Sequence, residues 1–287
     1  MKLSQKGSYI MTCDFAATST NRISRLRQIV KNGLTSSFQS IYKVGDLKPF
    51  AVEGFIRGPI GTALEAPEKL FQAAQEADTR AALDEAAYTL VLQSFAKLHW
   101  PGKLFLNIRP NTLLASAFAL THLQLAIKNA GLHPSQIILE FTEHEPILSP
   151  DLLLRLIDPL LDQGATISLD DVGAAFASMR VICELQPHLI KVDRFFIDGI
   201  ANSLVKRSVV QSFVNLASDI GAQVVAEGIE QGEDAQVSMQ LGIGIMQGFL
   251  FGNPSAKPEF TPLPEGFWGS LRSARPRRPK CNAILST

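Results

Sequence analysis

The chain has 287 residues, 46% of them hydrophobic, and its 27 basic residues balance 27 acidic ones. That length supports the core of one large domain, and zero net charge argues against a nucleic-acid polymer as partner. No run approaches the roughly 20 apolar residues of a membrane span, and the start, MKLSQKGSYIMTCDF, lacks the apolar stretch of a secretory signal, so a cytoplasmic protein is expected.

Residues 1–35 read as a polar, Ser/Thr-rich N-terminal extension with one helix at NRISRLRQIVKNG. Residues 36–260 alternate apolar, strand-like runs with amphipathic stretches. The runs are LKPFAVEGFI, KLFLNI, QIILEF, TISLDD, LIKVD, QVVAEG and IGIMQGFLF. Between them lie helical segments such as PEKLFQAAQEADTRAALDEAAYTLVLQSFAKL, SPDLLLRLIDPLLDQG and NSLVKRSVVQSFVNLASDIG. Such alternation predicts an α/β fold with a mainly parallel sheet, and strands this continuously apolar suit a closed TIM-like barrel. No GxGxxG or GxxxxGK loop follows any run, which argues against a dinucleotide fold or a P-loop enzyme. Residues 261–287 form a basic, proline-containing tail, expected to be solvated and disordered. Cys13, Cys183 and Cys281 are widely spaced and include no CxxC pair, so neither a disulfide framework nor a zinc site is suggested.

Nearly every run carries a polar residue in or near its C-terminal half: Glu53, Asn107, Glu140, Asp170 with Asp171, Lys191, Glu227 and Gln247. Singly, each reads as a strand-end group bonded to a loop, and the Asp pair also as a helix cap. On a barrel, repetition over seven runs would gather all of them at one mouth. Five carboxylates there cannot stay ionised together without cations. The histidines lie off these strand ends, and an oxygen-only donor set suits Mg²⁺ or Mn²⁺. A pair of such ions activates water and stabilises charge in phosphoryl transfer, with one of the two aspartates bridging them. Lys191 would orient or help deprotonate the water, although a structural ion pair explains it equally well.

These segments resemble the successive motifs of EAL-domain cyclic di-GMP phosphodiesterases. The matching residues are Glu53-Gly54-Phe55-Ile56-Arg57, Asn107, LEFTE at 139–143, LDD at 169–171, Lys191-Val192-Asp193-Arg194, VVAEGIE at 224–230 and QGFLF at 247–251. The resemblance implies a (β/α)8 barrel with one antiparallel strand, and hydrolysis of cyclic di-GMP to linear pGpG with two Mg²⁺ or Mn²⁺ ions. It implies that Glu53, Asn107, Glu140 and Asp170 hold one ion and that Asp170, Asp171 and Glu227 serve the second. Lys191 and Gln247 would hold the water, Arg57 a substrate phosphate, and Gln39 of FQSI the nucleotide. Glu143 would anchor the loop after the aspartates. A homodimer, with a regulatory protein partner, is expected on the same ground.

Some positions depart from the family pattern. EAL is here EGF, and NxSP is NIRP, which puts Arg109 near the substrate in place of serine. The loop DFGTGYSS is DVGAAFAS, without the threonine and the tyrosine hydroxyl. An altered loop is compatible with weak hydrolysis, or with a cyclic di-GMP receptor or interaction module.

Overall fold

The computed structural model describes residues 28–29, 33–116, 118–142, 147, 149–173, 179–258 and 262–273. Eight strands close a barrel in sequence order: β1 (Thr35–Lys43), β2 (Ala51–Arg57), β3 (Lys103–Ile108), β4 (Ile137–Phe141), β5 (Thr166–Val172), β6 (Leu189–Val192), β7 (Gln223–Ala226) and β8 (Ile245–Gln247). β1 runs antiparallel to both its neighbours, β2 and β8, and every other pair is parallel. The expected barrel with one antiparallel strand is thus the observed fold.

Helices cover the outside: α1 (Pro67–Glu76), α2 (Arg80–Lys97), α3 (Pro110–Leu114), α4 (Ala119–Asn129), α5 (Pro150–Leu161), α6 (Met179–Leu185), α7 (Arg194–Ile197), α8 (Leu204–Asp219), α9 (Gly232–Gln240) and α10 (Phe267–Ser273). Outward strand residues such as Leu104, Leu106, Leu139 and Ile190 are buried against them. Inside the barrel, Ile41, Ala51, Phe105, Ile138, Leu189, Val225 and Ile245 form an apolar floor. Their alternation with the outward set is the period-2 pattern of a strand buried on both faces.

Three expectations need correction. The strand-like runs omitted β1, whose sequence TSSFQSIYK is too polar to register as one. Its Phe38 and Ile41 are nonetheless buried on opposite faces, and its ladders to β2 and β8 close the barrel. The long segment 67–98 is two helices, because Asp78 adopts a left-handed φ of 50° that no helix continues through. Finally, residues 262–273 are not a solvated tail: α10 buries Trp268 (5% exposed), whose indole Nε1 donates to Asp46 O at 2.7 Å. The expected N-terminal helix lies almost wholly outside the described residues; its described positions 28–29 are helical.

Candidate active site

Six of the seven parallel strands, all but β5, place a polar residue two positions beyond their contribution to the floor. Glu53 follows Ala51, Asn107 follows Phe105, Glu140 follows Ile138, Lys191 follows Leu189, Glu227 follows Val225 and Gln247 follows Ile245. In antiparallel β1 the order reverses, and Gln39 precedes Ile41. Residues two apart on a strand share a face, so a second, polar layer sits on the apolar floor.

Lys191, 1% exposed, is the hub of that layer. Its Nζ lies 3.1 Å from Glu53 Oε2, 3.0 Å from Asp170 Oδ1, 2.5 Å from Glu227 Oε1 and in short contact with Glu140 Oε1. The Phe105 ring lies beneath, 5.8 Å from the ammonium. Carboxamides fill the remaining directions. Asn107 Nδ2 donates to Glu53 Oε1 at 3.2 Å and to Gly54 O at 3.3 Å. Gln247 Nε2 donates to Glu53 Oε2 at 2.8 Å and to Gln39 Oε1 at 3.1 Å. Gln39 Nε2 in turn donates to Gly252 O at 3.1 Å.

One ammonium does not satisfy this many acids. Burial, then the neighbouring Glu53, pushes the Glu140 carboxyl well above its ordinary range. Burial also raises Glu227, with Asp170 adding to the effect and Lys191 opposing it. Burial would lower Lys191, but Asp170, Glu140, Glu227 and Glu53 together outweigh it and hold the ammonium well above its usual range. Glu140 Oε2 and Gln247 Oε1 are buried and accept no hydrogen bond. Such orphaned acceptors are uncommon inside proteins and mark a place where something positive or protic belongs.

A strand should send Asp170 and Asp171 to opposite faces, yet oxygens of both lie within 4.8 Å of one another and of Glu227. The register of β5 against β6 shifts between Leu169 and Val172, and Asp171 takes a left-handed φ of 51°. This bulge turns Asp171 toward the mouth. Burial, then Asp170, raises its carboxyl to about 7. A second oxygen triad, Glu53, Glu140 and Glu227, lies beside the first.

Arg57 is exposed at the end of β2, on the same strand face as Glu53. Arg109 stands 3.9 Å from the buried Asp84 and 6.0 Å from the centre of the Phe71 ring. With Asp84, Tyr88 and Phe71 it lines a cavity of about 540 Å³ that reaches Glu53, Asn107 and Asp170. Thr112 Oγ1 donates to Asp84 at 2.5 Å, and burial raises that carboxyl to about 6. Sequence reasoning missed Asp84 and Phe71, because Arg80 and Asp84 at i,i+4 read as an ordinary surface pair. Glu143 and the loop residues Ala174 to Ser178 lie outside the described residues.

The fold and site together define a (β/α)8-type barrel whose mouth carries a lysine-centred cluster of acids. The sequence profile of the EAL domain matches residues 22–254, and the chain belongs to that family. It is 31% identical over 168 residues to cyclic di-GMP phosphodiesterase RocR of Pseudomonas aeruginosa, a match covering 58% of this chain and 43% of RocR. It is also 31% identical over 163 residues to the blue light- and temperature-regulated antirepressor BluF of Escherichia coli, covering 57% and 40%. The chain thus spans less than half the length of these relatives. Among solved structures, Klebsiella pneumoniae BlrP1 in complex with calcium and cyclic di-GMP superposes with a TM-score of 0.71 at 29% identity, over 79% of this chain and 57% of that one.

Proposed function

We propose that this chain hydrolyses cyclic di-GMP to linear pGpG with the help of two divalent cations, Mg²⁺ or Mn²⁺. The observation that carries the reading is the buried ammonium of Lys191 facing four carboxylates while Glu140 Oε2, buried beside it, accepts no hydrogen bond. Oxygen donors in two triads, with no histidine or thiol among them, fit hard cations. RocR is named a cyclic di-GMP phosphodiesterase, and BlrP1 has been solved with manganese and cyclic di-GMP as well as with calcium, which supports the same reading.

Glu53, Glu140 and Asp170, with the oxygen of Asn107, would hold one ion, and Asp170, Asp171 and Glu227 the other. When bound, the ions supply Lewis acidity toward water and the phosphodiester. The protein's own groups do the positioning. Lys191 donates toward the attacking water while Gln247 Oε1 accepts from it, so the oxygen is aimed and its proton is drawn toward the surrounding carboxylates. Water oxygen joins phosphorus, one P–O ester bond breaks, and the departing ribose oxygen takes a proton. Arg57 would pair with a substrate phosphate, and Gln39 and Arg109 would contact the nucleotide, with a base entering the cavity that Arg109 lines.

A second reading, a cyclic di-GMP-responsive interaction module, is favoured by the likeness to BluF, named an antirepressor, and by the altered DVGAAFAS loop. Incubating the pure protein with cyclic di-GMP and Mn²⁺ and separating the products by chromatography decides between them: pGpG is expected, and its absence alongside retained binding would favour the module.

A further inference from the structure

The EAL match ends at residue 254, yet α10 beyond it is tied to the active site. Trp268 packs 5.8 Å from Phe251 and 5.2 Å from Phe267, ring centre to ring centre, and Phe251 in turn lies 5.4 Å from Tyr42 of β1. Phe251 ends the 3-10 turn Phe249–Phe251, which follows Gln247 after Gly248 alone. No side chain fits at Gly248, since a Cβ there would lie 2.1 Å from Ile229 O. The aromatic stack therefore clamps one end of a turn whose other end is already fixed.

The residue after Phe251 carries the consequence. Gly252 O accepts from Gln39 Nε2, Gln39 Oε1 accepts from Gln247 Nε2, and Gln247 Nε2 donates again to Glu53 Oε2. A carboxamide presents either its NH₂ or its oxygen in a given direction. With the Gly252 carbonyl in place, Gln39 must turn its NH₂ toward it and its oxygen toward Gln247. Gln247 must then turn its NH₂ inward, which leaves its buried Oε1 as an acceptor without a partner. Were Gly252 O to move, Gln39 could turn its NH₂ toward Gln247, whose own NH₂ would then face a donor and be held by Glu53 Oε2 alone, so that the aim of Gln247 Oε1 would loosen.

We propose that Trp268 is a positioning residue for Gln247. The stack of α10 on Phe251 fixes Gly252 O, and Gln39 relays that position so that Gln247 presents an acceptor oxygen to the attacking water. The site would not be set by the barrel alone: beside Glu53 Oε2, a helix beyond the matched residues helps to hold the orientation of one of its groups. The turnover part of the test rests on the phosphodiesterase reading, and the spectroscopic part does not.

The test compares the full chain with Trp268→Ala, Trp268→Phe and a destabilised control, Leu123→Ala, in the core beneath α4. Expected for Trp268→Ala is a fall in kcat of about tenfold with KM nearly unchanged, and recovery of most of the loss in Trp268→Phe, which keeps a ring against Phe251. The control should lose melting temperature without losing kcat at a temperature where all variants are folded. Independently of activity, the side-chain amide ¹⁵N–¹H signals of Gln39 and Gln247, assigned from Gln39→Leu and Gln247→Leu, should shift and exchange about tenfold faster in Trp268→Ala but not in the control. Unmoved amide signals in folded Trp268→Ala would overturn the inference, as would a kcat loss matched by the control. A parent without turnover would remove the phosphodiesterase reading only, and the amide signals would still decide the relay. Were Trp268→Ala not to fold, Trp268→Leu, which keeps apolar bulk without a ring, would be read by the same signals.

Discussion

Val91 of α2 occupies the space that a side chain at position 54 would need: a Cβ on Gly54 would lie 2.3 Å from Val91 Cγ1. The glycine of EGF, where the family pattern has the alanine of EAL, is thus matched by a bulky residue on the covering helix. A valine in a helix has essentially one side-chain rotamer and cannot swing away. Gly54→Ala should therefore cost about 1–3 kcal/mol by overpacking, and Gly54→Ala with Val91→Ala should recover much of it. A urea-denaturation cycle over the four proteins measures the coupling, and additive effects would show that α2 gives way instead.

Lys191 is the one cation among four facing acids, so Lys191→Met should lower metal-free stability by about 3–5 kcal/mol near neutral pH, as losing one partner of a buried ion pair does. Glu140 and Glu227 titrate above their ordinary range in the folded protein, so the stability they contribute is present at low pH and is lost as pH rises through those raised values. The deficit of Lys191→Met should accordingly shrink toward pH 4. Melts in chelator at acid and neutral pH check this. With metal, turnover should fall about a hundredfold or more while substrate binding is largely retained.

Asp170 faces Lys191 at 3.0 Å, whereas Asp171 reaches the mouth only through the bulge. Asp171→Asn should abolish hydrolysis yet leave one metal and measurable cyclic di-GMP binding. Asp170→Asn should weaken both metals, because a neutral amide bridges poorly. Neither variant should melt below the metal-free parent, since each removes one of several like charges. Calorimetric metal counting tests the assignment, and normal hydrolysis by Asp171→Asn would sink it.

Arg57 stands exposed beyond a mouth rich in carboxylates that would repel a doubly charged ligand. Arg57→Ala and chelation should each weaken cyclic di-GMP binding, the substitution by roughly ten- to a hundredfold, the worth of a charge-assisted contact. Titration calorimetry reads the result, and affinity indifferent to both changes would remove the pose.

Asp84 supplies a pH signature away from the two oxygen triads. Burial raises its carboxyl to about 6 from an ordinary 3.8, against the opposing pull of the Thr112 hydrogen bond and Arg80. The folded state then binds that proton more tightly than the unfolded one, so its contribution is complete below about pH 4 and is lost by about pH 6. Relative to Asp84→Asn, the parent should lose on the order of 2–3 kcal/mol across that interval. Parallel stability curves for the two proteins would show that Asp84 stays ionised throughout.

Much of this protein is local pattern and so was readable in one dimension. Period-2 apolar runs alternating with amphipathic stretches specify strands and helices, and a polar residue two positions past an inward apolar one lands on the same strand face wherever that strand goes. Glu53, Asn107, Glu140, Lys191, Glu227 and Gln247 could be picked from that rule together with their motifs. Register and closure belong to the tertiary structure. Only the antiparallel insertion of the polar strand β1 brings Gln39 beside Gln247, and only closure brings acids from residues 53, 140, 170 and 227 to one ammonium. The left-handed turn at Asp171, the pairing of Arg109 after β3 with Asp84 of α2, and the seating of Trp268 on Phe251 follow the same logic. Each depends on contacts between residues far apart in the chain, whose energies no local periodicity encodes.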